Sequence, residues 1–158
     1  MKIFKHIQNY TRTLSVCLVF GVSATFTATL EAKSYNEPQI NCMAKNAYME
    51  ARGENEKGML ATIFVVLNRT KDSRFPATPC KVISQPSQFS WYGKGKTIKE
   101  PDQYERAKIL VQEVLDGKHK DLTHGAVYFN SNHIQPRGTI CTTRIGGHSF
   151  YKPVTPNK

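Results

Sequence analysis

Apolar positions along this chain fall into a few periodic runs separated by polar, turn-rich stretches. In "CMAKNAYMEA" (Cys42 to Ala51), Met43, Ala47, Glu50 and Ala51 recur at helical spacing. Asn41 is positioned to cap a helix beginning at Cys42, and Gly53 to end it. At 100° per residue, Glu50 falls about 20° from Met43 on the helical wheel, so a carboxyl group sits on the apolar stripe. "GMLATIFVVLNRT" (Gly58 to Thr70) is apolar on nearly every side. By composition it could be a strand, but its length argues for a buried central helix. Within it, Asn68-Arg69-Thr70 has the form of a glycosylation acceptor and reads here as the cap that closes the helix. "PDQYERAKILVQEVLDG" (Pro101 to Gly117) is the clearest amphipathic helix. Pro101 suits its first turn, Tyr104, Ala107, Val111, Val114 and Leu115 form its buried stripe, and Gly117 stops it.

The connecting segments read differently. "SRFPATPC" (Ser73 to Cys80) is a loop fixed by two prolines, and "KVISQPSQFSWYGKGK" (Lys81 to Lys96) is rich in turns. "GAVYFN" (Gly125 to Asn130) and "TRIGGHSFY" (Thr143 to Tyr151) have the look of short strands.

The N-terminal region adds a second feature. Lys2, Lys5 and Arg12 precede an uncharged stretch from Thr13 to Leu30, and polar sequence returns at Glu31. A basic start followed by an apolar run is the pattern of a secretory signal, with residues 1–32 as the segment removed. The run is also near the lower length for a membrane span, so a retained, weak and transient membrane anchor is the alternative. Either way the domain is expected outside the cytoplasm, in the periplasm or cell wall, as a monomer.

Charge sharpens this. The full chain carries 22 Lys and Arg against 12 Asp and Glu. Losing residues 1–32 removes three basic residues and one acidic residue, leaving 19 against 11, a balance of +8. Such a surface attracts anionic polymers. No nucleic-acid motif is present, and export separates the chain from nucleic acid. An anionic wall polymer fits both facts. Three cysteines remain after export, Cys42, Cys80 and Cys141; one disulfide with one thiol left over is the simplest count in an oxidising compartment.

The candidate chemistry centres on Glu50. "YMEARGENE" holds three glutamates, and Glu54 and Glu56 fall beyond the expected helix end, where solvent is the default. A carboxyl on a buried stripe holds its proton to higher pH, which is what a general acid requires. An ion pair with a neighbouring Arg or Lys is the structural alternative. On "QPSQFSW", Gln88, Ser90 and Trp91 offer the amide, hydroxyl and aromatic surfaces that sugars match, with core packing as the alternative for Trp91 and the expectation for Phe89. His119, His124, His133 and His148 have no metal-site spacing, so no metal or other cofactor is expected. A metal-dependent amidase is kept as an alternative.

Taken in order, "NAYMEARGE", "GMLATIFVVLNR", "FPATPCKVI", "QPSQFSW", "HGAVYFN" and "RIGGHSFY" resemble the cell wall hydrolase family named for the spore cortex-lytic enzyme SleB. The resemblance covers residues 40–152. It implies a lysozyme-like, helix-rich α+β domain with a small antiparallel sheet flanking a cleft, and peptidoglycan as partner. It places the family's catalytic glutamate on Glu50 and pairs Cys42 with Cys80. Cleavage between N-acetylmuramic acid and N-acetylglucosamine follows. A hydrolase ordinarily needs a second carboxylate. No other acid here has a comparable stripe position, so a lytic transglycosylase is favoured over a muramidase. Tyr128, Asn130 and His148 are assigned to the opposite cleft wall. A non-catalytic wall-binding protein of the same fold is the competing function class.

Overall fold

The computed structural model describes residues 34–154. The expected signal or anchor at 1–32 lies outside the described residues. Four helices come first: α1 (Glu37–Ala51), α2 (Glu56–Lys71), the short α3 (Pro79–Ile83) and α4 (Pro101–Leu115). A three-stranded antiparallel sheet follows, made of β1 (Tyr128–Asn130), β2 (Thr139–Ile145) and β3 (His148–Pro153) in the order β1-β3-β2. The helix-rich α+β architecture with a small antiparallel sheet that the resemblance implies is the one observed.

α1 starts five residues before the expected Cys42. Its cap is Asn36, whose side chain accepts from the Gln39 amide at 3.2 Å, with Pro38 in the first turn. Pro38 lacks an amide hydrogen, which the first turn does not need. Asn41 is therefore interior, and its side chain meets Glu37 and Tyr104 instead of capping. α2 is capped by Asn55, which accepts from the Gly58 amide at 3.2 Å. Glu56 in its first turn and Arg69 and Lys71 in its last complement the helix dipole. Asn68 does not close this helix. Its amide donates to Asp121, Thr123 and the Ala126 carbonyl, tying α2 to the loop ahead of β1.

α2 is the central helix, as its all-round apolar character implies. Met59, Leu60, Ile63, Phe64, Val66 and Leu67 join a core with α1, α3 and α4. Ala61 and Val65 face Ala126 and Phe150 below the sheet. On α4, Ala107, Val111 and Val114 are buried as expected, Leu110 joins them, and Tyr104 and Leu115 pack half-buried at the margin. The Cys42–Cys80 disulfide links α1 to α3, and Cys141 is exposed and free. "TRIGGHSFY" is a hairpin, not one strand: Gly146 and Gly147 turn between β2 and β3, with Gly146 at φ 56°. A glycine tolerates that left-handed backbone without strain.

Candidate active site

Glu50 lies on the last turn of α1, facing a cleft of about 290 Å³. The cleft has three walls. α1 and α2 contribute Glu50 and Arg69; the loop after α3 contributes Ser87, Gln88 and Ser90; the sheet side contributes Phe129 to Asn132 and His148. Glu50 is the carboxylate among these lining residues. Its carboxyl makes no hydrogen bond or ion pair with the described residues. Burial pushes its pKa above the ordinary glutamate value, against the opposing pull of Lys96 and Arg69. Desolvation thus outweighs two cations, and the carboxyl keeps its proton to higher pH.

Arg69 explains much of the local electrostatics. It is 4% exposed. Its Nε donates to the Val127 carbonyl at 2.7 Å, and its guanidinium lies 5.1 Å from the Phe75 ring and 5.4 Å from the Phe89 ring. Burial lowers its pKa to about 10, so it stays charged at neutral pH. Its Nη1 is buried without a hydrogen-bond partner among the described residues. A buried donor left unpaired is costly and is usually satisfied by a ligand or water.

On the sheet side, His148 is backed by Glu54. The Glu54 carboxylate accepts from the Gly147 amide at 3.0 Å and stands 3.8 Å from His148 Nδ1. A Cβ on Gly146 would lie 1.7 Å from Glu54 Oε2, so the turn admits the carboxylate because residue 146 is glycine. Glu54 is thus not the solvent-facing residue that its place beyond α1 implied. Glu56 is: it pairs with Arg106 at the surface. Asn130 lines the cleft, but its amide is already engaged with the Ile134 carbonyl at 2.7 Å and Tyr151 OH at 3.4 Å. Ser87 adopts φ 60°, a strained value for a non-glycine residue, on the wall opposite the sheet.

The structure therefore brings Glu50, Gln88, Ser90, Asn130 and His148 together. It does not bring Trp91 or Tyr128 to them. Trp91 is buried, with its Nε1 donating to Asn46 at 3.2 Å. Tyr128 packs toward Phe75, with ring centroids 6.1 Å apart, because alternation along β1 turns it away from the face that presents Phe129. Arg69, Phe129 and Glu54 are residues that sequence reasoning missed. Among the described residues, no three His, Cys, Asp or Glu side chains converge as metal ligands would.

The profile of the cell wall hydrolase family matches residues 53–151. The match opens three residues after Glu50 and takes in the rest of the cleft. The spore cortex-lytic enzyme of Halalkalibacterium halodurans is 33% identical over 127 residues, covering 78% of this chain and 37% of that protein. That of Bacillus subtilis is 32% identical over 122 residues, covering 73% and 38%. This chain thus spans well under half the length of these relatives. The crystal structure of the catalytic domain of the Bacillus cereus SleB protein superposes with a TM-score of 0.65 at 31% identity, covering 76% of this chain and 94% of that one. The catalytic domain of the germination-specific lytic transglycosylase SleB from Bacillus anthracis gives 0.64 at 30%, covering 76% and 98%.

Proposed function

The chain belongs to the cell wall hydrolase family, and from that premise we propose that it cleaves peptidoglycan glycan strands as a lytic transglycosylase with Glu50 as acid and then base. The observation that carries this reading is a lone, half-buried carboxyl with a raised pKa facing the cleft.

The Glu50 proton passes to the oxygen joining N-acetylmuramic acid to N-acetylglucosamine. The bond from that oxygen to the muramic anomeric carbon breaks, and its electron pair leaves with the N-acetylglucosamine. Positive charge develops on the muramic ring. The Glu50 carboxylate then takes the proton of the same sugar's 6-hydroxyl, whose oxygen closes on the anomeric carbon. Glu50 ends protonated, and no water is consumed. Among the described residues, the cleft lining holds no second carboxylate to activate a water, which favours ring closure over hydrolysis. Arg69 Nη1 is suited to donate a hydrogen bond to a substrate oxygen, because it is the buried donor left without a partner among the described residues. His148, steadied by Glu54, offers a polar group from the facing wall.

Such an enzyme works outside the cytoplasm, and the basic-then-apolar start of the chain supports export, with the form of membrane attachment resting on whether residues 1–32 are cleaved. Mass spectrometry of fragments released from purified sacculi tests the reaction. Products lighter by one water than the hydrolysed muropeptides are expected. Hydrolysed products would make the chain a muramidase. Binding without any release would make it a wall-binding protein.

A further inference from the structure

A second hollow of about 310 Å³ is lined by Met49, Thr97 and four cations, Arg52, Lys94, Lys96 and Lys99. Consecutive residues of α1 line the two spaces, Met49 this hollow and Glu50 the cleft. Lys96 belongs to this hollow and is close enough to act on the Glu50 carboxyl. The lysine-bearing loop is shaped rather than loose. Gly93 at φ 74° and Gly95 at φ 63° bend it tightly, and the Lys94 amide donates to the Trp91 carbonyl at 3.3 Å. Its far end is pinned by buried Tyr48, whose hydroxyl accepts from the amides of Lys99 at 2.9 Å and Glu100 at 3.2 Å.

The charge in the hollow is largely uncompensated. Glu100, the neighbouring carboxylate, is held by the Tyr48 hydroxyl and by Arg52 at 3.1 Å. Among the described residues, Lys94, Lys96 and Lys99 form no ion pair. Three like charges gathered on one short loop repel one another and weaken it, unless an anion is brought between them.

We propose that this hollow is a subsite for the carboxylates of the peptide stem carried by the muramic acid bound in the Glu50 cleft. The proposal rests on the peptidoglycan reading above and extends it: the substrate is a strand bearing anionic stems, not a bare glycan. The stem hangs from the lactyl group on the muramic ring. A stem leaving the cleft past Met49 would meet the lysines with its free carboxylates, and charge-assisted contacts of that kind are the strong ones.

Calorimetric titration with soluble stem-bearing glycan fragments tests this without needing turnover, using the Glu50→Gln chain so that the ligand stays intact. The comparison ligand is the same fragment with its stem carboxylates converted to amides. Native fragments are expected to bind at least about tenfold more tightly than amidated ones, and the gap should shrink as salt rises. The combined Lys94→Gln, Lys96→Gln and Lys99→Gln changes should bring the ratio near one, and replacement by glutamate should invert it. Equal binding of both fragments by the parent, or an undiminished ratio in the lysine variants, overturns the subsite. Failure of the lytic reading would appear separately, as absent release from sacculi by the unsubstituted protein.

Discussion

The cleft stands between two regions built in different ways. On the helical side, nineteen buried side chains from α1 to α4 and the loop between α3 and α4 form one core, and Glu50 follows Met49, which packs at its margin. On the sheet side, the buried cluster is four residues, two of them lent by α2. There the wall is held by polar contacts instead: Asn130 to Ile134, His133 to Ser149 at 2.7 Å, Glu54 to Gly147. β2 carries an irregularity between Cys141 and Thr143 that interrupts its register with β3. Packing fixes the acid, and hydrogen bonds fix its surroundings. Changes on the helical side should therefore be read in stability, and changes on the sheet side in activity.

Glu50→Gln is the sharpest break of that rule, because it alters chemistry on the helical side without disturbing packing. Sacculus lysis is expected to fall by at least about a hundredfold, the lower end for loss of a general acid. Stability should move the other way. Burial raises the folded-state pKa of Glu50 above its unfolded value, so the carboxyl's contribution is fully present below the unfolded pKa and is lost as pH rises through the folded one. The variant should melt above the parent on the alkaline side of that window, and the gap should close in acid. Thermal unfolding across a pH series, beside lysis rates, measures both. A variant that lyses sacculi normally would remove Glu50 from the chemistry.

The disulfide tests the helical side by stability alone. It closes a sequence separation of 38, for which chain entropy gives about 4 kcal/mol of stabilisation. Paired Cys42→Ser and Cys80→Ser changes should lower the denaturant midpoint accordingly. Lysis per folded molecule, assayed well below the transition, should change little, because neither cysteine lines the Glu50 cleft.

How much of this was readable beforehand follows the same division. Helical periodicity exposed Glu50 because a stripe is a local property, visible within ten residues. The α2 core and the α4 stripe were legible for that reason. Trp91 was not, since flanking Ser90 and Tyr92 suggested a surface ring, and its partner Asn46 is 45 residues away. Arg69 was hidden in an apparent helix-end motif, and nothing nearby in sequence announces Phe75 and Phe89 as its neighbours. Glu54 meets Gly147 across 93 residues. The glycine pair in "RIGGHSFY" was the available sign that something approaches that turn closely, though not of what does.

Gly146→Ala tests the sheet side with a smaller effect. The new methyl would occupy the place of Glu54 Oε2, and φ 56° would strain any residue with a Cβ, at about 1–2 kcal/mol. The helical core does not include this turn, so unfolding should shift only modestly. Glu54 should leave the Gly147 amide and release His148, with lysis falling severalfold. Glu54→Gln, which keeps an acceptor oxygen for that amide, should fall less than Glu54→Ala. Equal losses in the two would mean that the charge of Glu54, not its hold on the turn, matters.

The smallest effect belongs to Glu56, six residues from the acid along the chain. Its carboxylate pairs with Arg106 of α4, and both side chains are more than two-fifths exposed, at 48% and 41%. Exposed pairs of this kind contribute about 0–1 kcal/mol, because water screens the attraction and two long side chains must be ordered to make it. Glu56 also stands in the first turn of α2, where a negative charge complements the helix dipole. Glu56→Gln therefore loses two small favourable terms and nothing in the cleft. A slight drop in melting temperature with unchanged lysis is expected, and the drop should vanish in high salt. Lysis reduced as far as in Glu50→Gln would mean that the cluster acts together. The separation of the one cleft-facing acid from its two neighbouring glutamates would then have to be abandoned.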